Sequence, residues 1–308
     1  MPNSRSLLVT KNKAAELLYA ISCYHYVRSL GFKPYDWQGA ILKSTRKRKA
    51  VNGARQAGKS TIVSAKPCHV AKYYPESVSL ILAATEYQAF LDMEKVKDFI
   101  AHDLNYPKIE RSSDRLIMLA NGSWIMVVPA TEKAARGPSA PKLILIDEAS
   151  RVENIVYQSG IIPMLTDNPD CELIQISTPH GKLGFFFDAM NNPKWERYEV
   201  RSPWDVVDLE FRLEPAEPEA EYRRKCAEKG VLGFYSPRHM NKEEQEFNLG
   251  EMGTNMYLQE YGVQFIEPED QVFSYDEIEK LMSSTAEPLI IDEIGEAEPL
   301  TFNKEMVE

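Results

Sequence analysis

Apolar residues in this chain follow two alternating rhythms. Short, mostly apolar runs at Val78 to Ala84, Lys142 to Glu148 and Glu172 to Ile176 are bounded by polar residues, and a further strand is expected over Trp195 to Val200. Runs of that length suit strands covered on both faces. Between them lie longer stretches of helical period: Lys13 to Leu30, with Ala14, Leu17, Leu18, Ile21 and Val27 on one face, then Gln38 to Leu42, Thr61 to Tyr73, Thr85 to about Leu104, Glu153 to Leu165 and Phe185 to Asn191. Thr85 supplies a short polar side chain at a helix start. Asn121-Gly122 between Arg115–Leu119 and Trp124–Pro129 signals a hairpin. Strands alternating with helices predict an α/β fold with a mostly parallel sheet and right-handed crossovers.

Past Pro203 the pattern changes. Pro215 to Lys229 and Lys242 to Glu260 have charged, amphipathic helical character without strand alternation, which predicts a small helical subdomain. One short helix, Tyr275 to Met282, and a Glu- and Pro-rich tail follow, and the tail is expected to be extended. The resulting division is 1–30 as an N-terminal helical segment, 31–205 as the core, 206–268 as a lid and 269–308 as an acidic tail.

Chemistry enters at Gly53-Ala54-Arg55-Gln56-Ala57-Gly58-Lys59-Ser60, which fits G-x-x-x-x-G-K-[ST]. Such a loop curls consecutive backbone N–H groups around phosphates, and the following helix, from Thr61, adds its N-terminal dipole. Lys59 is expected at the β- and γ-phosphates and Ser60 on Mg²⁺. Downstream, the run from Lys142 ends in Asp147-Glu148, at the end of a strand where ligands bind in open α/β sheets. Asp147 is expected in the Mg²⁺ shell, and Glu148 as the base that orients and deprotonates water. Gln38, beside aromatics upstream of the loop, is either a ligand for both edges of adenine or a solvent-facing residue at a helix start.

Composition leaves this picture intact. With 44% hydrophobic and 27% charged residues the chain reads as soluble and globular, and no apolar run approaches a membrane span. Scattered Cys23, Cys68, Cys171 and Cys226 are expected as reduced, mostly buried thiols. The net charge of −10 is unevenly distributed. Met1 to Lys242 carries 34 Lys and Arg against 28 Asp and Glu; Glu243 to Glu308 carries 2 against 18. A mildly basic body can still face nucleic-acid phosphates. The cation run Lys43 to Lys49 is either a solvated loop or a DNA contact.

From about Pro34 to about Phe265 the chain resembles the ATPase domain of the large terminase subunit, the DNA-packaging motor of tailed bacteriophages. The likeness is carried by Pro34-x-x-x-Gln38, by Arg55-Gln56-Ala57-Gly58-Lys59-Ser60, by Arg136-Gly137, by Leu143 to Glu148, by Ser177-Thr178-Pro179 and by Gly250 to Phe265 with Glu260-Tyr261. It implies a P-loop NTPase of the RecA/ASCE type with a small lid, and ATP with Mg²⁺ as cofactors. It also implies double-stranded DNA, a portal protein and a small terminase subunit as partners. A homo-oligomeric ring on the portal, monomeric when isolated, working in the host cytoplasm without a membrane, completes the picture. Gln38 then stands as the adenine motif, Ser177, Thr178 and Pro179 as the coupling motif. Arg55 either reaches the γ-phosphate in cis or braces the loop, and Arg136 is either a finger for a neighbour's ATP or an exposed loop cation. The family usually continues into a nuclease domain, for which the residues after Pro268 are too few, so no DNA cleavage is expected. A helicase-like translocase and a nucleotide-dependent scaffold without turnover are the alternatives.

Overall fold

The computed structural model describes residues 4–131, 140–207, 212–236 and 241–267 of the 308-residue chain. The strands are β1 (Arg48–Gly53), β2 (Val78–Ala83), β3 (Ile109–Ser112), β4 (Leu116–Leu119), β5 (Trp124–Pro129), β6 (Leu143–Asp147), β7 (Glu172–Ser177), β8 (Glu196–Arg201), β9 (Trp204–Val206), β10 (Leu213–Pro215) and β11 (Val231–Tyr235). Nine of them form one sheet in the order β11-β8-β1-β7-β6-β2-β5-β4-β3. Pairing is parallel from β11 through β5. The predicted hairpin is there, with β4 antiparallel to β5, and β3 extends it antiparallel to β4.

Successive residues of the central strands point into different cores. Leu143 and Leu145 of β6 join one apolar cluster, Ile144 and Ile146 the other, and all four are buried. The first cluster is covered by α2 (Cys23–Ser29), α3 (Asp36–Lys43), α4 (Ser60–Tyr73) and α5 (Glu86–Ala101), which contribute Val27, Trp37, Ile62 and Phe99. The second is covered by α6, where Asn154–Val156, a π-helical turn Tyr157–Ile161 and Ile162–Asp167 run on from one another, and by α7 (Phe185–Asn191). Covering both faces explains why the strands read as unbroken apolar runs. At α5 the Thr85 hydroxyl accepts the Gln88 N–H, the predicted N-cap.

Four expectations need correcting. The helix expected over Lys13–Leu30 is two helices, α1 (Ser4–Ile21) and α2, broken at Ser22, whose backbone is extended. Its supposed apolar stripe splits there, since Val27 is buried while Leu17, Leu18 and Ile21 are exposed. The stretch after Pro203 is not free of strands. β9 pairs with β10, and β11 joins the main sheet beside β8, so the sheet draws on residues assigned to the lid. Helices α8 (Glu219–Glu228) and α9 (Lys242–Glu260) flank these, α9 kinking at Gly253 (φ 76°). The cation run is mostly consumed internally. Lys43 lies over the Tyr24 ring, Lys47 pairs with Asp170, Arg48 donates to the Cys171 carbonyl, and Lys49 sits buried inside β1. The tail beyond Glu267, with the helix expected at Tyr275–Met282, lies outside the described residues, and no described helix is long and apolar enough to cross a membrane.

Candidate active site

β1 delivers the phosphate-loop sequence to the C-terminal edge of the sheet, and the loop is tied down on both sides. The Ala54 N–H donates to Val200 O of β8 (2.8 Å) and the Arg55 N–H to Glu260 O (2.7 Å). Within the loop the Ala57 N–H donates to Ala54 O (3.1 Å), and Gln56 (φ 60°) and Gly58 (φ 94°) take left-handed backbone conformations. At Gly58 a β-carbon would also stand 3.0 Å from the Gln38 amide nitrogen, so glycine is required twice over. α4 then starts at Ser60, with Ser60 exposed and Thr61 half-buried.

Lys59 folds back over its own loop. Its Nζ donates to Gly53 O (3.0 Å) and stands 3.8 Å from Glu148 Oε1. Burial lowers the ammonium pKa, and Glu148, Asp147 and Glu260 pull it back up. Asp147 ends β6, buried, its carboxyl pushed up to about 7 by desolvation and then by the nearby charges of Asp92 and Glu148. Glu148 leaves the strand in the left-handed region (φ 51°, ψ 46°), a strained backbone for a residue with a β-carbon. That turn redirects its carboxylate from the strand axis toward Lys59. Glu148 Oε2 accepts from Ser177 Oγ (3.3 Å) and Thr178 Oγ1 (3.5 Å). Ser150 locks the same corner, with its Oγ 2.7 Å from Ser177 Oγ and donating to Thr178 O (2.8 Å). Pro179 follows, buried.

Gln38 and Arg55 each have two readings in the sequence. Gln38 is buried rather than solvent-facing, and its amide is already used at both ends. Its Oε1 accepts the Tyr35 N–H (2.8 Å), capping α3, and its Nε2 donates to Gly58 O (2.8 Å). It braces the phosphate loop. Arg55 is largely exposed with its guanidinium 3.8 Å from Glu260 Oε2, the loop-bracing arrangement. Arg136 lies outside the described residues.

Three residues of this cavity, Arg151, Gln88 and Lys95, are not singled out in the sequence. Arg151 reaches the other oxygen of the buried Glu260 carboxylate (3.6 Å), so Glu260 links the phosphate loop to the turn after Asp147-Glu148. Gln88 and Lys95, both from α5, also line the cavity. Gln88 and Lys95 were detectable in principle as polar residues on the inward face of a helix, whereas the contact of Arg151 with Glu260 joins residues far apart in sequence.

Comparison with known proteins shows the family and the fold. The family model described as "Terminase large subunit, T4likevirus-type, N-terminal" matches residues 51–280. The terminase large subunits of Thermus virus P23-45 and Thermus phage G20c are each 26% identical over 235 residues, covering 60% of this chain and 48% of theirs. The chain thus spans about half the length of the curated relatives it matches. The ATPase domain of the Thermus phage P74-26 large terminase superposes with a TM-score of 0.56 at 20% identity, covering 78% of this chain and 97% of that one. The HK97 bacteriophage large terminase gives 0.50 at 12% identity, covering 75% and 50%. The last two likenesses speak to fold, a mostly parallel sheet flanked by helices. The family match covers well over half the chain, and the chain belongs to the T4-like-virus-type terminase large subunits, in their N-terminal region.

Proposed function

We propose that this chain hydrolyses ATP and uses the energy to move double-stranded DNA into a viral procapsid. The observation that carries the reading is the convergence of Lys59, Asp147, Glu148 and Thr178 on the phosphate loop at one sheet edge, with Glu148 held in a strained turn to reach it. Ser60 and Asp147 are the donors that would hold Mg²⁺. That ion takes one or two carboxylates together with nucleotide phosphates rather than a full protein cage. The donor set fits, since Ser60 and Asp147 line one cavity together with the phosphate loop. When bound, the ion would neutralise charge on the phosphates.

The chain's own residues do the rest. Lys59 exchanges Gly53 O for the β- and γ-phosphates. Glu148 takes a proton from the attacking water, its Oε2 kept in place by Ser177 and Thr178. The same two hydroxyls give the strand after Glu148 a direct contact with the reacting group, by which hydrolysis is passed to the β7–α7 segment. Family membership supports a portal protein and a small terminase subunit as partners, in a homo-oligomeric ring in the host cytoplasm, with Arg136 offered to a neighbour's nucleotide.

The test is steady-state ATP hydrolysis by the full chain, with and without linear double-stranded DNA. Mg²⁺-dependent turnover that rises with DNA is expected. Failure to bind ATP in either condition would overturn the reading.

A further inference from the structure

The face of α5 that meets the nucleotide cavity carries a polar row that the functional reading above does not use. Gln88, Asp92 and Lys95 stand at i, i+4 and i+7, one side of the helix. Asp92 is fully buried. Its Oδ1 accepts from Gln88 Nε2 (2.9 Å) and from Lys95 Nζ (2.8 Å), and its carboxyl group faces that of Asp147. A fully buried carboxylate set against a second one is costly unless the site needs it. The Gln88 amide nitrogen spends its second hydrogen on Asp147 Oδ2 (3.2 Å). The chain of contacts therefore runs from Lys95 to Asp92, to Gln88, to the carboxylate that ends β6. It holds the Asp147 carboxyl group from the α5 side, and Asp147 itself lines the cavity.

We propose that Gln88 and Asp92 are positioning residues for the Asp147 carboxylate, holding it in the orientation that takes the divalent cation of a bound nucleotide, and that Lys95 compensates the buried Asp92 charge. The inference rests on the nucleotide reading and adds to it a helix that the phosphate-loop and acidic motifs do not include. Partners of this kind fix ligand orientation, and losing one typically costs about 10–100-fold in metal affinity. Lys95 also lines the cavity, so its charge balances Asp92 at the place where phosphate charge arrives.

The experiment uses the full chain and a fluorescent ATP analogue, titrated with MgCl₂ and, separately, in EDTA. In Gln88→Met, which keeps side-chain length, the Mg²⁺ concentration for half-maximal binding should rise about tenfold, with binding in EDTA and melting temperature unchanged. Asp92→Ala should do the same, whereas Asp92→Asn, which retains an acceptor for Gln88, should stay closer to wild type. Should Asp92→Ala not fold, Gln88→Met, on a half-buried side chain, carries the test. An unchanged Mg²⁺ requirement in Gln88→Met overturns the proposal, as does a parallel loss of binding in EDTA, which would mark a structural role. If wild type binds no analogue at all, the nucleotide reading itself fails, and the two failures are told apart.

Discussion

Each end of the parallel sheet carries buried lysines set against a carboxylate, and the two ends are built to opposite standards. At the N-terminal end, Glu172 of β7 takes Lys49 of β1 at 2.6 Å and Lys66 of α4 at 2.9 Å. Lys49 also donates to Arg46 O. Burial alone would raise the Glu172 pKa, but the two ammonium groups outweigh it and hold the carboxyl below its usual range. At the C-terminal end, Lys59 and Glu148 stand 3.8 Å apart, Glu148 is strained, and Asp147 is pushed up by its neighbours. The same residue types give a closed ion cluster in one place and an open one in the other. Buried charge that is fully paired fixes structure, and buried charge left loosely paired is available for a ligand.

That contrast can be broken from either side. The largest effect on folding is expected at the closed end. Glu172→Gln leaves two buried ammonium groups without their shared counterion, and stability should fall by about 3–5 kcal/mol. Urea unfolding measures it, and the nucleotide affinity of the folded fraction should not change. A stability loss as large from Glu148→Gln, at the open end, would erase the distinction.

Next in size is a pH effect at the same closed end. His69 of α4 lies buried beside Lys66 and bonds Tyr19 O through Nε2 (2.8 Å). Desolvation lowers its pKa from 6.5 to about 4, against a smaller opposing pull from the Tyr19 carbonyl. Because the folded value lies below the unfolded one, the unfolded chain binds more protons between those two values. The contribution is therefore complete above pH 6.5 and is lost as pH falls toward 4, worth roughly 3 kcal/mol over that window. Stability of His69→Gln measured across pH 4 to 7 should show a flatter profile than wild type. An unchanged slope would mean that other groups dominate.

The smallest effect belongs to the contact between the open end and β7. Thr178→Ala removes the longer of the two hydroxyl contacts to Glu148 and leaves the Ser177 contact in place. ATP binding should be kept, and turnover should fall by about tenfold, since a hydrogen bond to a charged group contributes about 1.5 kcal/mol at the weak end of its range and this one is long at 3.5 Å. DNA movement per ATP hydrolysed should fall more than turnover does. Packaging measured with ATP consumption in one assay decides it, and normal coupling in the variant would remove Thr178 from the path.

The open end was largely legible in the sequence because phosphate binding constrains spacing. Gly53 to Ser60, Asp147-Glu148 and Ser177-Thr178 are local patterns, and the last two sit at strand ends where the apolar runs predict one. The closed end was hidden by the same kind of reasoning. Arg48 and Lys49 belong to a cation run that reads as solvated, yet β1 begins inside it, because Glu172 on the neighbouring strand supplies the compensating charge. Strand β11 was lost for a related reason. Its short apolar run, Val231 to Tyr235, follows a highly charged helix, and only the free edge of β8 makes it a strand. Gln38 shows what motif reading leaves out, since its amide also ties Tyr35 to Gly58 and so couples α3 to the phosphate loop.

The central claim is that Glu148 is held in a strained turn to activate water and is not needed to bind nucleotide. Glu148→Gln keeps the size and both contacts to Ser177 and Thr178 while removing the base. ATP binding and single-turnover hydrolysis of that variant, measured side by side with wild type, test the claim most directly. The account predicts Mg²⁺-dependent ATP binding within a few-fold of wild type and turnover lower by about 10²–10⁴. Binding and turnover lost together, or turnover left intact, would contradict it.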